Sequence, residues 1–104
     1  MTQTDMNIGA GEELKKETAR LEACDAELLK NLPSKRHAQY KSVQRSWDEF
    51  LKASATFEAD GYKGGSIAPL IYANSAIALT QTRIEQVQAR IEQVQERFGD
   101  VKSA

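Results

Sequence analysis

Apolar residues recur at alternating spacings of three and four along most of the chain, and the breaks in that rhythm divide it into three helical segments. The first runs from about Glu12 to Asn31, with Leu14, Leu21, Cys24, Leu28 and Leu32 on one side. Pro33 stops it, because a proline ring cannot continue a helix, and Ser34 follows as the expected N-cap of the next. The second segment, about Lys35 to Ala59, places Tyr40, Val43, Trp47, Phe50, Ser54 and Phe57 in a coiled-coil-like seam. Four of those six positions are aromatic, and a large ring buries roughly 150–250 Å², so this helix is expected to supply most of the core.

Asp60-Gly61-Tyr62-Lys63-Gly64-Gly65 then reverses the chain, with three glycines in six residues. Ser66 is the expected N-cap of the third helix, and Pro69 sits in its first turn, where a missing amide hydrogen costs little. This helix is expected from Ile67 to about Phe98, with Gly99 as its C-terminal cap. Its far half is a duplicated heptad: Arg83-Ile84-Glu85-Gln86-Val87-Gln88-Ala89 is followed by Arg90-Ile91-Glu92-Gln93-Val94-Gln95-Glu96. Ile77, Ile84, Ile91 and Phe98 form one row of the seam, and Thr80, Val87 and Val94 the other. Met1 to Gly11 shows no repeating apolar face and reads as a solvated tail. The expected fold is all-α: an antiparallel three-helix bundle over residues 12–104 as one domain, with a long third helix and a disordered N-terminal tail at 1–11.

Helix lengths add an expectation about association. At 1.5 Å per residue the third helix would reach ~48 Å and the second ~38 Å, so one end must overhang. Antiparallel packing from the glycine loop puts the surplus beyond Pro33, and makes Ile91, Val94, Phe98 and Val101 candidates for an oligomer interface, in a homodimer or with another protein. Arg83, Arg90 and Arg97 recur every seven residues beside the seam. They read as a solvated face, as partners of Glu13, Glu17 or Glu22 on the first helix, or as contacts to a different partner.

Composition narrows the functional classes. A chain of 104 residues with 40% apolar content can fold as one domain without metal or disulfide. A net charge of −1 argues against phosphate neutralisation as the main task, so nucleic acid is not expected as a partner. The apolar run Ile67 to Tyr72 is broken by Pro69 and is far short of the ~20 residues a membrane span needs. The first eleven residues lack a basic, apolar leader pattern, which suits a cytoplasmic protein, or a periplasmic or secreted one whose leader was removed.

Candidate chemistry is sparse. The lone His37 has no cysteine or second histidine at ligand spacing, so no metal or cofactor site is expected, and the side chain reads as solvent-exposed. Cys24 lies on the apolar side of the first helix and reads as a structural thiol. Asp48-Glu49 and Glu12-Glu13 are adjacent in sequence and diverge by about 100° on a helix, so they cannot converge as general acid and base. Lys35, Arg36, Lys41, Arg45 and Lys52 make the second helix locally basic, which admits an anionic partner. No catalysis is expected.

The ordered set Asp25-Ala26-Glu27-Leu28, Gln44-x-x-Trp47-x-x-Phe50, Gly64-Gly65-Ser66 and Leu79-Thr80-x-x-Arg83 resembles the N-terminal domain of LprI-type lysozyme inhibitors, small helical bacterial proteins. The resemblance spans about Leu21 to Val87. That family usually carries two cysteines, one after the Trp helix and one early in the third helix. Ala55 and Ser75 stand at those positions here, so no cross-link can join the two helices. The resemblance implies a non-catalytic module that binds a lysozyme-type hydrolase. Tyr62, Lys63, Gly64, Gly65 and Ser66 are the candidate contacts, with Tyr62 as anchor and Lys63 suited to a carboxylate-lined cleft. The alternative is a structural protein that shares only the fold and associates through the third-helix seam.

Overall fold

The computed structural model describes the backbone of residues 1–103 and the side chains of residues 1–97. It contains α1 (Gln3–Asn31), α2 (His37–Asp60) and α3 (Ala68–Ser103), with a 3₁₀ turn at Ser34–Arg36 before α2. The helices run up, down and up, so α1 lies parallel to α3. Both α1 and α2 pack closely on α3, and they meet each other mainly through long side chains such as Tyr40 and Trp47. The molecule measures 58 × 24 × 15 Å. α3 turns one stripe, through Ala73, Ala76, Ile77, Thr80, Ile84, Val87 and Val94, toward both neighbours, so the three helices form an elongated bundle with α3 as the shared packing surface.

The first eleven residues are not a disordered tail: α1 begins at Gln3. Thr2 caps it, accepting the Asp5 amide on its hydroxyl at 3.1 Å, while the Asp5 carboxylate accepts the Thr2 amide at 3.2 Å. Ala10 is buried and Met6 half-buried, extending the seam of Leu14 and Leu21 back by two turns. Asn7 also donates from Nδ2 to the Ser66 carbonyl at 3.1 Å, tying this end of α1 to the loop before α3. Glycines at 9 and 11 and polar residues at 3 and 7 hide this continuation in the sequence.

The second half of α1 supplies the partner that the far half of α3 requires, while the extra turns at its start lie beside the loop before α3. Leu21 and Leu28 pack with Ile84, Val87 and Val94, and Cys24, Leu32, Tyr40, Trp47 and Ile91 lie against them. A second cluster, Leu51, Ala55 and Ala76, joins α2 to the near half of α3, with Leu14, Tyr72 and Leu79 around it. Trp47 touches both clusters and is half-buried. Ala55 is fully buried next to Ala76, so small side chains pack closely at one of the positions where relatives carry cysteine.

α2 contributes less to the core than its aromatic content suggests. Leu51 and Ala55 are its buried residues, whereas Val43, Phe50 and Phe57 are 47%, 57% and 77% exposed. α2 turns a single stripe toward the rest of the bundle, and the remainder of its circumference is left to solvent. That stripe centres on Leu51, and Phe50, one residue earlier, lies about 100° around the helix axis. The seam expected from the sequence therefore splits: Tyr40, Trp47 and Ser54 lean inward, and Val43, Phe50 and Phe57 face solvent.

Three smaller expectations also change. Ser34 opens the 3₁₀ turn and makes no side-chain cap to α2. α3 starts at Ala68, one residue after the expected Ile67, with Pro69 in its first turn as anticipated. It continues through Gly99 to Ser103; one glycine inside a helix costs only about 1 kcal/mol, which the rest of the helix can absorb.

Candidate functional site

The loop from Gly61 to Ile67 forms one tip of the elongated molecule and is built from consecutive tight turns. The Tyr62 amide donates to the Ala59 carbonyl at 2.9 Å, Lys63 to Asp60 at 3.2 Å, Gly65 to Tyr62 at 3.0 Å and Ala68 to Gly65 at 3.3 Å. Two glycines matter for different reasons. Gly64 has φ +88°, a left-handed conformation that side chains disfavour. At Gly65 a Cβ would sit 3.2 Å from the Tyr62 carbonyl oxygen, a tight approach. The loop is thus a defined backbone scaffold between two helix ends.

Its side chains point outward. Tyr62 is 48% exposed, and Lys63, Gly64, Gly65 and Ser66 are also exposed, so the five candidate contacts form one continuous accessible surface. Lys63 is the only cation between Lys52 and Arg83. Sequence reasoning missed part of this tip. Phe57 on the last turns of α2 and Ile67 just after the loop are exposed, and Ile8 is exposed on the turn of α1 that Asn7 ties to Ser66. Phe57 shares the seam spacing of core residues, and Ile8 lies in a stretch that reads as a tail. Together with Tyr62 they give the tip an apolar surface around a single lysine.

The oligomer-interface candidates divide. Val94 is buried and Ile91 half-buried in the chain's own α1–α3 core, so neither offers the projecting surface expected of it. Leu28 and Leu32, in and just after the last turn of α1, reach this part of α3 and pack with both. Phe98 and Val101 lie outside the described side chains.

Polar groups inside the bundle are structural. Tyr40 donates its hydroxyl to the Asp25 carboxylate at 2.5 Å, joining α2 to α1, and Arg83 of α3 lies close enough to act on the pair. Burial, and after it the bond to Asp25, holds the Tyr40 phenol well above the usual tyrosine range; Arg83 pulls weakly the other way. Glu17, also buried, pairs with Arg20 at 2.8 Å. Arg83, Arg90 and Arg97 make no ion pair with Glu13, Glu17 or Glu22; Glu17 is taken by Arg20, and on α2 Lys52 pairs with Asp48. His37 is half-buried rather than exposed, its Nε2 3.1 Å from the Leu32 carbonyl at the end of α1. Cys24 is a half-buried free thiol packed on the core, in keeping with a structural role.

Among the described residues no cluster of His, Cys, Asp and Glu could hold a metal ion, and no helix is long and apolar enough to cross a membrane. Against this geometry the comparisons with known proteins are specific on one point. The family model for the lysozyme inhibitor LprI matches residues 1–87, and the chain belongs to that family. No curated protein and no solved structure matches it. The matched span takes in α1 from its start, which agrees with the ordered helix observed there, and ends at Val87, within the first copy of the duplicated heptad.

Proposed function

We propose that this member of the LprI family is a non-catalytic binding module that engages a lysozyme-type hydrolase through the Gly61–Ser66 loop. The observation that carries the reading is the tip itself: a turn-rich loop, fixed by Gly64 and Gly65, presents Tyr62 and Lys63 beyond two helix ends. Tyrosine buries much area at low entropic cost and is a common interface anchor. Glycoside hydrolases of the usual kind place two carboxyl groups around the scissile bond. A lysine with no cationic neighbour in its stretch of chain is suited to enter such a cleft, while Phe57, Ile67 and Ile8 supply an apolar collar against its rim.

The test is calorimetric titration of the purified chain against a panel of lysozymes at low and physiological salt, with Tyr62→Ala/Lys63→Ala as the comparison. The expected result is micromolar or tighter binding to at least one lysozyme and a loss of at least tenfold in the double variant with unchanged helical content. Binding that is indifferent to both substitutions, or absent across the panel, would overturn the assignment to this loop.

A further inference from the structure

At the opposite end from the loop, α2 and α3 part. Near the loop they are held together by Leu51, Ala55 and Ala76; toward Pro33 the contact gives way to an open groove of about 830 Å³. Its floor is apolar: Leu32, Tyr40 and Val43 line it over the buried Leu28, Val87 and Val94. Its rim carries Arg36 from the 3₁₀ turn before α2 and Arg83, Arg90 and Arg97 from α3, against Glu96 as the one lining acid. Arg36, Arg90 and Arg97 are exposed and none of the four makes an ion pair among the described residues.

We propose that this groove binds an acidic amphipathic helix of another protein. The three arginines of α3 are seven residues apart, or about 10.5 Å along the axis, and span about 21 Å from Arg83 to Arg97. A helix laid alongside α3 repeats its own faces at that same interval, so acids placed once per heptad would meet each arginine while its apolar row covers the floor. A lone small anion would use neither the period nor the apolar floor. A second copy of this chain is a poor fit: its free apolar row, Val43, Phe50 and Phe57, is flanked by Gln39, Ser46 and Ala53, which carry no charge. Arg90 and Arg97 both lie beyond the residues that match the LprI family, so the full basic rim goes beyond the matched segment. This site is separate from the loop, and either can stand without the other.

The probe is a 21-residue peptide with leucine at the first and fourth position of each heptad and glutamate at the flanking positions, beside the same peptide with lysine for glutamate. Titration of the full chain by calorimetry should show the glutamate peptide binding at least tenfold tighter than the lysine peptide, weakening with salt. Arg90→Gln/Arg97→Gln, both at exposed positions, should weaken it at least tenfold without lowering the melting temperature. The proposal is overturned if the two peptides bind alike, if neither binds at millimolar concentration, or if the double variant binds as well as the parent. It is overturned equally if anionic phospholipid vesicles bind the chain through these arginines while the peptide does not, or if light scattering shows a dimer that the glutamate peptide cannot dissociate.

Discussion

The two flanks of α3 meet their neighbours on different terms. Toward α1 the contact is apolar and continuous, from Leu14 beside Leu79 to Leu28 against Val87 and Val94. Toward α2 it is close only near the loop and then opens into a groove rimmed by arginine. The same duplicated heptad feeds both flanks: its isoleucines and valines go to α1, and its arginines go to the α2 side. A heptad repeat that reads as an unfilled coiled-coil seam has thus already found its partner within the chain, and what it leaves available is the charged edge.

The sharpest way to break this contrast is to empty the α1 side. Leu28 is 1% exposed at the centre of that contact, so Leu28→Ala is expected to cost about 3–4 kcal/mol in urea denaturation. A loss below about 1 kcal/mol would mean that α1 is not the principal partner of α3. Next comes the polar tie between α2 and α1. Tyr40→Phe removes the donor to a buried carboxylate and is expected to cost about 2 kcal/mol. Because the phenol's folded-state pKa is raised, its contribution is full below the unfolded value near 10 and is lost as pH rises through the folded value. The urea midpoint of the parent should therefore fall more steeply above pH ~10 than that of Tyr40→Phe; parallel curves would show that the bond does not couple the helices.

A smaller effect tests the start of α1. Thr2→Ala deletes a capping box and should cost about 1 kcal/mol, with faster amide exchange confined to the first turns. An unchanged exchange pattern would contradict the capped helix. Smallest of all is the outer face of α2: Phe50→Ser, at an exposed position, should shift stability by no more than about 0.5 kcal/mol. A cost comparable to Leu28→Ala would place the aromatic row in a core after all.

Much of this organisation was legible in the sequence because it rests on local rules. Pro33 and the Gly61–Gly65 cluster punctuate the helices where expected, and the rows through Leu21, Leu28, Ile84 and Val87 are buried as their spacing requires. What escaped was set by neighbours rather than by period. Val43, Phe50 and Phe57 have core spacing, yet whether they are covered depends on what flanks α2, and α1 and α3 together cover only the stripe through Leu51 and Ala55. Met6 and Ala10 belong to the seam, but glycines around them mask the rhythm. The loop was found from its glycines, whereas Phe57, Ile67 and Ile8 around it needed the three chain segments to be brought together.

The central claim, that the loop tip is the surface offered to a hydrolase, is tested most directly by amide hydrogen exchange of the chain alone and with a lysozyme from the panel. The account predicts new protection at residues 61–67 and at 6–10, where Asn7 ties α1 to Ser66, with residues 83–97 unchanged. Protection along 83–97 with the loop still exchanging freely would contradict it and place the hydrolase in the arginine groove.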